Sequence, residues 1–124
     1  MAKITGILVN TEKCTVTREN ITKSLQGYYS ALNCDCIDIV TRKIDGVTYD
    51  IICDDEGLLK AGPVISAISR DRQPMMVGNL FIVKFDGQDD VRSLTDAECA
   101  HVLRCVSNVR IGKKICPVIH PCDY

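Results

Sequence analysis

Several things are missing from this sequence, and each absence closes a route. No apolar run approaches the ~18–20 residues that a membrane-spanning helix needs. The opening MAKITGILVN carries one lysine and a short apolar stretch, too little for an export signal, so a location in the cytoplasm of the cell is expected. An excess of charge of one sign is also missing. Fifteen Lys and Arg against sixteen Asp and Glu leave a net charge of −1, so no overall field would draw the chain onto a nucleic-acid polymer or an anionic membrane. Neither G-x-x-x-x-G-K-[ST] nor G-x-G-x-x-G occurs, which removes the phosphate loops of the common nucleotide enzymes. There are only two histidines, His101 and His120, a thin supply of bases for a cysteine or serine nucleophile. No C-x-x-C pair is present, so the usual structural-zinc spacing is absent. No internal repeat or low-complexity linker divides the chain.

Cysteine, by contrast, is plentiful: eight in 124 residues. Without an export signal, and with a chain long enough to bury a proper core, a disulfide framework is not needed. Most of these cysteines sit in apolar patterns, where a free thiol behaves as a small hydrophobe. All eight are expected to be reduced, with no metal bound and no cofactor. Three groupings resemble ligand sets: Cys34-x-Cys36, His101 with Cys105, and Cys116 through His120 to Cys122. His101 and Cys105 are four apart on what reads as the polar side of a helix, where a solvated pair is expected.

The pattern of apolar residues gives the elements. KITGILVN reads as a first strand and Thr15-Val16-Thr17 as a short second one. Ile21, Leu25, Tyr28 and Leu32 then recur at helical spacing, predicting a helix over about residues 18–32, with Thr17 as N-cap and Asn33 as the stop. Asp45-Gly46 is a strong two-residue hairpin signal. It pairs Ile44 with Val47, Val40 with Ile51, Ile39 with Ile52, Asp38 with Cys53 and Ile37 with Asp54. Apolar residues on both faces predict a central hairpin covered on two sides. Residues 60–74 read as a loop with a short turn around Val64–Ser69. Met75–Phe85 reads as one strand interrupted at Gly78-Asn79. Thr95 and Glu98 form a capping box, with Leu94 stapled onto Cys99 and a buried stripe of Cys99, Val102, Leu103 and Val106 ending near Asn108. The order predicts an α+β fold: one compact domain over 1–124 whose largely antiparallel sheet packs with two main helices. Residues 109–124 are too apolar to stay in water, and they read as a C-terminal extension packing across a homo-oligomer contact.

The stretch Asp54-Asp55-Glu56 follows an apolar strand abruptly. Adjacent carboxylates at a strand end diverge and cannot converge as an acid–base pair, so a polar strand exit is expected, with Gly57 at positive φ. A secondary role as acceptor for ribose hydroxyls or a base amine is open. Near the end, Arg104, Arg110, Lys113 and Lys114 form a local basic cluster able to hold phosphate.

The segments ILVNTEKCTVTREN, LNCDCIDIV, YDIICDDEGLLK and VGNLFIVKFDGQDDVRSLTD, spanning about residues 5–107, resemble a family of small phage and prophage proteins grouped as a domain of unknown function. D-D-E-G-L and V-G-N-L-F-I are the most specific parts of the match. In size and element order the chain is also similar to the Thoeris anti-defence sponge proteins. That resemblance implies a non-enzymatic phage protein, acting in the host cytoplasm as a dimer or higher oligomer. It would sequester a nucleotide immune signal, either a cyclic ADP-ribose isomer or a cyclic oligonucleotide, without cleaving it. It further implies stacking by Phe81, hydrogen bonding by Asn79 and phosphate contact by Arg110, with Arg92 or Lys113 assisting. The alternative is a small phage accessory protein acting by contact with a host protein.

Overall fold

A computed structural model describes residues 2–56, 64–88 and 90–124. The first strand, β1 (Lys3–Asn10), pairs along its whole length with β2 (Thr15–Thr22). After Lys23 the chain turns into helix α1 (Leu25–Leu32). Ser24 caps α1 by accepting the Gly27 N–H, and Asn33 ends it in the left-handed conformation. The first third of the helix predicted over 18–32 is therefore strand. The eight-residue ladder with β1 outweighs a local apolar periodicity, and Ser24, not Thr17, is the N-cap.

β3 (Ile37–Ile44) and β4 (Val47–Asp54) form the hairpin around Asp45-Gly46 in the expected register, from Ile44 opposite Val47 to Ile37 opposite Asp54. Both turn residues have positive φ, the requirement that selects Asp-Gly there. β5 (Ile65–Ile68) occupies the stretch expected to be a loop. Met75–Phe85 is not one strand. β6 (Pro74–Val77) and β7 (Leu80–Phe85) belong to different sheets, and the chain crosses between them at Gly78, whose φ is +78°. The Gly78 N–H donates to the Val64 carbonyl at 2.8 Å, fixing the crossing point.

A short β8 (Val91–Arg92) leads to α2 (Asp96–Arg104), which starts with the predicted Thr95–Glu98 capping box. α2 ends at Arg104, earlier than expected, because the alternating segment that follows becomes β9 (Val106–Ile111) and pairs with β10 (Lys114–Ile119). Its buried residues include Cys99 and Val102 with Cys105 at the cap, while Leu103 is exposed. β11 (Cys122–Asp123) follows β10.

The larger sheet runs β11-β3-β4-β7-β1-β2, with β8 beside β7, and the second runs β6-β5-β10-β9. Among the described residues, every strand pairing is antiparallel except β5 with β10. One face of the large sheet, with Ile7, Val9, Ile51, Leu80 and Ile82, packs beneath α2 and the second sheet. The other, with Ile4, Ile52, Phe81 and Val83, packs against Tyr28 and Leu32 of α1. Of the central hairpin, β4 is buried on both faces from Tyr49 to Cys53, but β3 is not. Ile39, expected on a covered face, is 47% exposed, because β3 lies next to the short edge strand β11 and away from the middle of the sheet. The C-terminal segment is not appended to this body. Val118, Ile119 and Cys122 are fully buried, and β10 and β11 are paired into the two sheets of the same chain.

Candidate functional site

The acids at the end of β4 lie where the two sheets part. There Cys53, Asp54 and Asp55 face Pro74–Val77 across an open cleft of about 320 Å³. Its walls are mainly apolar: the thioethers of Met75 and Met76, the Pro74 ring and the Val77 side chain. Asp54 and Asp55 line its mouth. The Asp55 N–H donates to the Cys36 carbonyl at 3.1 Å, and the Asp54 carboxylate accepts the Glu56 N–H at 2.9 Å, so the strand exit is held by its own hydrogen bonds. Gly57, expected at positive φ, lies outside the described residues. Cys53 contributes a neutral thiol. Burial first, and then the negative charge of Asp38, push it up to about 11, and its sulfur donates to the Asp38 carbonyl. Such a group is no nucleophile at neutral pH. Among the described residues, the cleft offers a mainly apolar wall with two acidic residues beside it, and no acid–base pair. The two most specific segments of the resemblance, D-D-E-G-L and V-G-N-L-F-I, both reach it, through Asp54-Asp55 and Val77.

The five residues named from the resemblance are placed differently. Phe81 has no exposed surface; its ring lies against Gly6, where an added Cβ would sit 2.8 Å from Cζ. Asn79 is only 5% exposed and its amide is committed. Nδ2 donates to the Leu32 carbonyl at 2.9 Å, and Oδ1 accepts from the Thr11 N–H at 2.8 Å and the Thr11 hydroxyl at 3.0 Å. Arg92 forms a two-pronged ion pair with Glu98, at 2.9 and 3.1 Å. That bond, reinforced by the Thr95 N–H of the capping box, holds the Glu98 carboxyl down at about 2. Arg110 is on the exposed side of β9, and Lys113 is in the β9–β10 turn. The chain therefore holds Phe81 and Asn79 in its interior, while Arg92 and the Arg110–Lys113 hairpin lie elsewhere on its surface.

A second polar cluster is only half visible in the sequence. α2 carries His101 and Cys105 one turn apart, and the β3–β4 turn brings Asp45 to them. Their nearest ligand-type atoms all lie within 4.8 Å of one another. Cys105 is buried rather than solvated, which corrects the reading of His101 and Cys105 as a solvated pair. Tyr49, fully buried, stacks on the imidazole and places its hydroxyl 2.7 Å from Nδ1. Burial, aided by the Glu98 charge, pushes this phenol up to about 12, so it stays protonated. Burial also raises the Cys105 thiol, the opposite of what a catalytic thiolate requires. The signals are the i, i+4 His–Cys pair and the Asp-Gly turn; nothing in the sequence joins them. The other groupings stay apart. Cys116 contacts Cys14 with sulfurs 2.8 Å apart, while His120 turns Nδ1 toward the Ser107 hydroxyl at 3.5 Å. Cys122 is sealed in the core, its thiol pushed up to about 11 by burial.

Among comparisons with known proteins, no curated protein and no solved structure matches. A family match does exist and covers most of the chain, including the cleft and the residues around Asn79. Over residues 4–107 the sequence fits the domain of unknown function DUF3846, and the chain belongs to that family.

Proposed function

We propose that the protein holds a small nucleotide-like ligand without converting it, with the base seated in the cleft between Asp54–Asp55 and Pro74–Val77. The observation that carries this reading is the pairing of a methionine-lined apolar wall with two acidic residues, Asp54 and Asp55, at one mouth. Methionine adapts its shape to a flat partner, and a carboxylate accepts hydrogen bonds from an exocyclic amine or a ribose hydroxyl. The same carboxylates repel phosphate, so an amino-bearing base enters and the phosphates stay outside. A cleft of about 320 Å³ is at the small end for ligand sites, suited to one base more than to a whole dinucleotide. The neutral Cys53 thiol, and the lack of a positioned base among the described residues of the cleft, favour holding over chemistry. The narrower reading is a phage protein that sequesters a cyclic ADP-ribose isomer or cyclic oligonucleotide and so blunts host defence. It rests on the resemblance together with this cleft. Arg110 and Lys113 would then reach the phosphates from a second protomer.

The test is calorimetry with adenosine, cyclic ADP-ribose and cyclic dinucleotides, followed by mass analysis of ligand released on denaturation. Stoichiometric heat that Asp55→Asn weakens about tenfold, roughly one charge-assisted hydrogen bond, supports the reading. Absence of heat with every amino-bearing base refutes it, and a changed ligand mass refutes the non-enzymatic part. One observation favours the protein-contact alternative. Among the described residues β9 is an edge of the second sheet, and beside it Ile115, next to Lys114 and opposite Arg110, is 63% exposed. An Ile115→Lys variant that loses a captured host protein, while nucleotides give no heat, would decide for it.

A further inference from the structure

We propose that Asp45, His101 and Cys105 form a site for a thiophilic divalent transition-metal ion, zinc being the one their chemistry fits. This site is separate from the cleft and does not depend on it. The donors are the Cys105 sulfur, the His101 imidazole and the Asp45 carboxylate, the three ligand types zinc uses. The ion's charge displaces the Cys105 proton to solvent on binding, and the resulting thiolate and the carboxylate offset that charge.

The geometry is close to what such an ion needs. Bonds of about 2.0–2.3 Å at tetrahedral angles put ligand atoms roughly 3.3–3.8 Å apart. Here the farthest pair is within 4.8 Å, and His101 Nε2 is 4.0 Å from Asp45 Oδ2. That gap is too long for a hydrogen bond and suits two donors on either side of an ion. The remaining contraction falls on Asp45. Its carboxylate is about half exposed, and its ion pair with Arg70, at 3.7 Å, is a surface contact of little worth.

An independent observation points the same way. Metal-binding histidines usually have their second ring nitrogen held by a polar partner, which fixes the ring's direction. The Tyr49 hydroxyl does this at Nδ1, leaving Nε2 toward Asp45. With metal on Nε2, Nδ1 carries the proton and donates it to the Tyr49 oxygen. The backbone of both halves is tied to one short segment: the Asp45 N–H donates to the Pro121 carbonyl at 3.1 Å, and the His120 N–H to the Cys105 carbonyl at 2.9 Å. Lys84, the cation nearest the tyrosine, is occupied by the Thr48 carbonyl and lies 4.0 Å from Glu98. Three protein ligands leave a fourth position on the solvent side, beside the exposed Asp45.

Cobalt(II) titration of the chelator-treated protein tests this, because a cobalt–thiolate bond absorbs in the near ultraviolet and tetrahedral cobalt in the visible. The expected result is one equivalent bound with both features, displaced by zinc. Cys105→Ser should abolish the thiolate band, while Cys116→Ser with Cys122→Ser leaves it intact. Tyr49→Phe should weaken affinity about 10–100-fold, as loss of an orienting partner does. Because the buried Cys105 variant could fail to fold, Asp45→Asn on the exposed turn is the second arm. Asparagine tolerates the left-handed backbone, so the metal-free melting temperature should hold while cobalt affinity falls by more than about tenfold. No stoichiometric thiolate band, a band that survives in folded Cys105→Ser, or unchanged affinity in Asp45→Asn would each overturn the proposal.

Discussion

Replacing Asn79 with alanine separates a structural amide from a ligand contact. Three hydrogen bonds converge on this side chain, and together they tie the last carbonyl of α1 to the end of β1 and the start of β7. Truncation leaves the Leu32 carbonyl and the Thr11 N–H without those partners. A buried group deprived of its bond costs about 1–3 kcal/mol; Leu32 is sealed, while Thr11 is partly exposed and can recruit water. The expected loss is therefore about 2–4 kcal/mol. At roughly 2.1 cal/mol/K per residue, a chain of this length has an unfolding entropy near 0.26 kcal/mol/K, so the melting temperature should fall by about 8–15 °C. Urea melts should show the midpoint dropping with the slope unchanged, since the surface exposed on unfolding is the same. If Asn79 were held ready for a ligand, alanine would leave the melt of the free protein untouched. A shift below about 2 °C would refute the structural role of this amide.

Gly27→Ala should destabilise strongly, by about 1–3 kcal/mol or more in a urea melt, because the new Cβ would collide with the Thr22 carbonyl oxygen. Glu98, depressed from 4.5 to about 2 by Arg92, contributes stability that is complete above pH 4.5 and lost as pH falls toward 2. A Glu98→Gln variant, which keeps the capping geometry, should flatten the melting-temperature profile in that window; an unaltered slope would refute the assignment. Asp55→Ala should change stability by less than about 1 kcal/mol, because its structural bond is made by its backbone; an unfolded variant would refute the strand-exit reading. In a native alkylation time course the exposed Cys36 should react first and the buried Cys53 and Cys122 last, with all eight thiols reactive after denaturation; early labelling of Cys122 would count against the buried placement.

What can be read in advance follows how local the determining interaction is. The register of β3 with β4 follows from a two-residue turn and alternation on neighbouring positions, so every pair is legible. The Thr95–Glu98 box is equally local. Residues 18–22 mislead because their strand state depends on β1 as a partner, not on their own spacing. The second sheet is invisible as a unit, since β5–β6 and β9–β10 are separated by β7, β8 and α2, and their parallel junction at Ile119 and Ala67 leaves no turn to recognise. That missing sheet is also why the terminal aliphatics read as homeless. Among site residues, chemistry is legible and availability is not. Nothing in the sequence says that Asn79 is used by Leu32 and Thr11, that Arg92 is held by Glu98, or that Gly6 makes room for Phe81 inside the core.

The interleaving of the two sheets has a consequence for synthesis. Residues 106–123 supply β9, β10 and β11, half of the second sheet and one edge of the first. At about 5–20 residues per second, the ribosome finishes β7 well over a second before β10 exists. Throughout that interval the face bearing Ile7, Val9, Ile51, Leu80 and Ile82 lacks part of its cover. The nascent chain is therefore most aggregation-prone just before β10 is made. Slowing translation over codons 106–119 should lower soluble yield more than the same delay placed in the β3–β4 hairpin, whose contacts close as soon as they emerge.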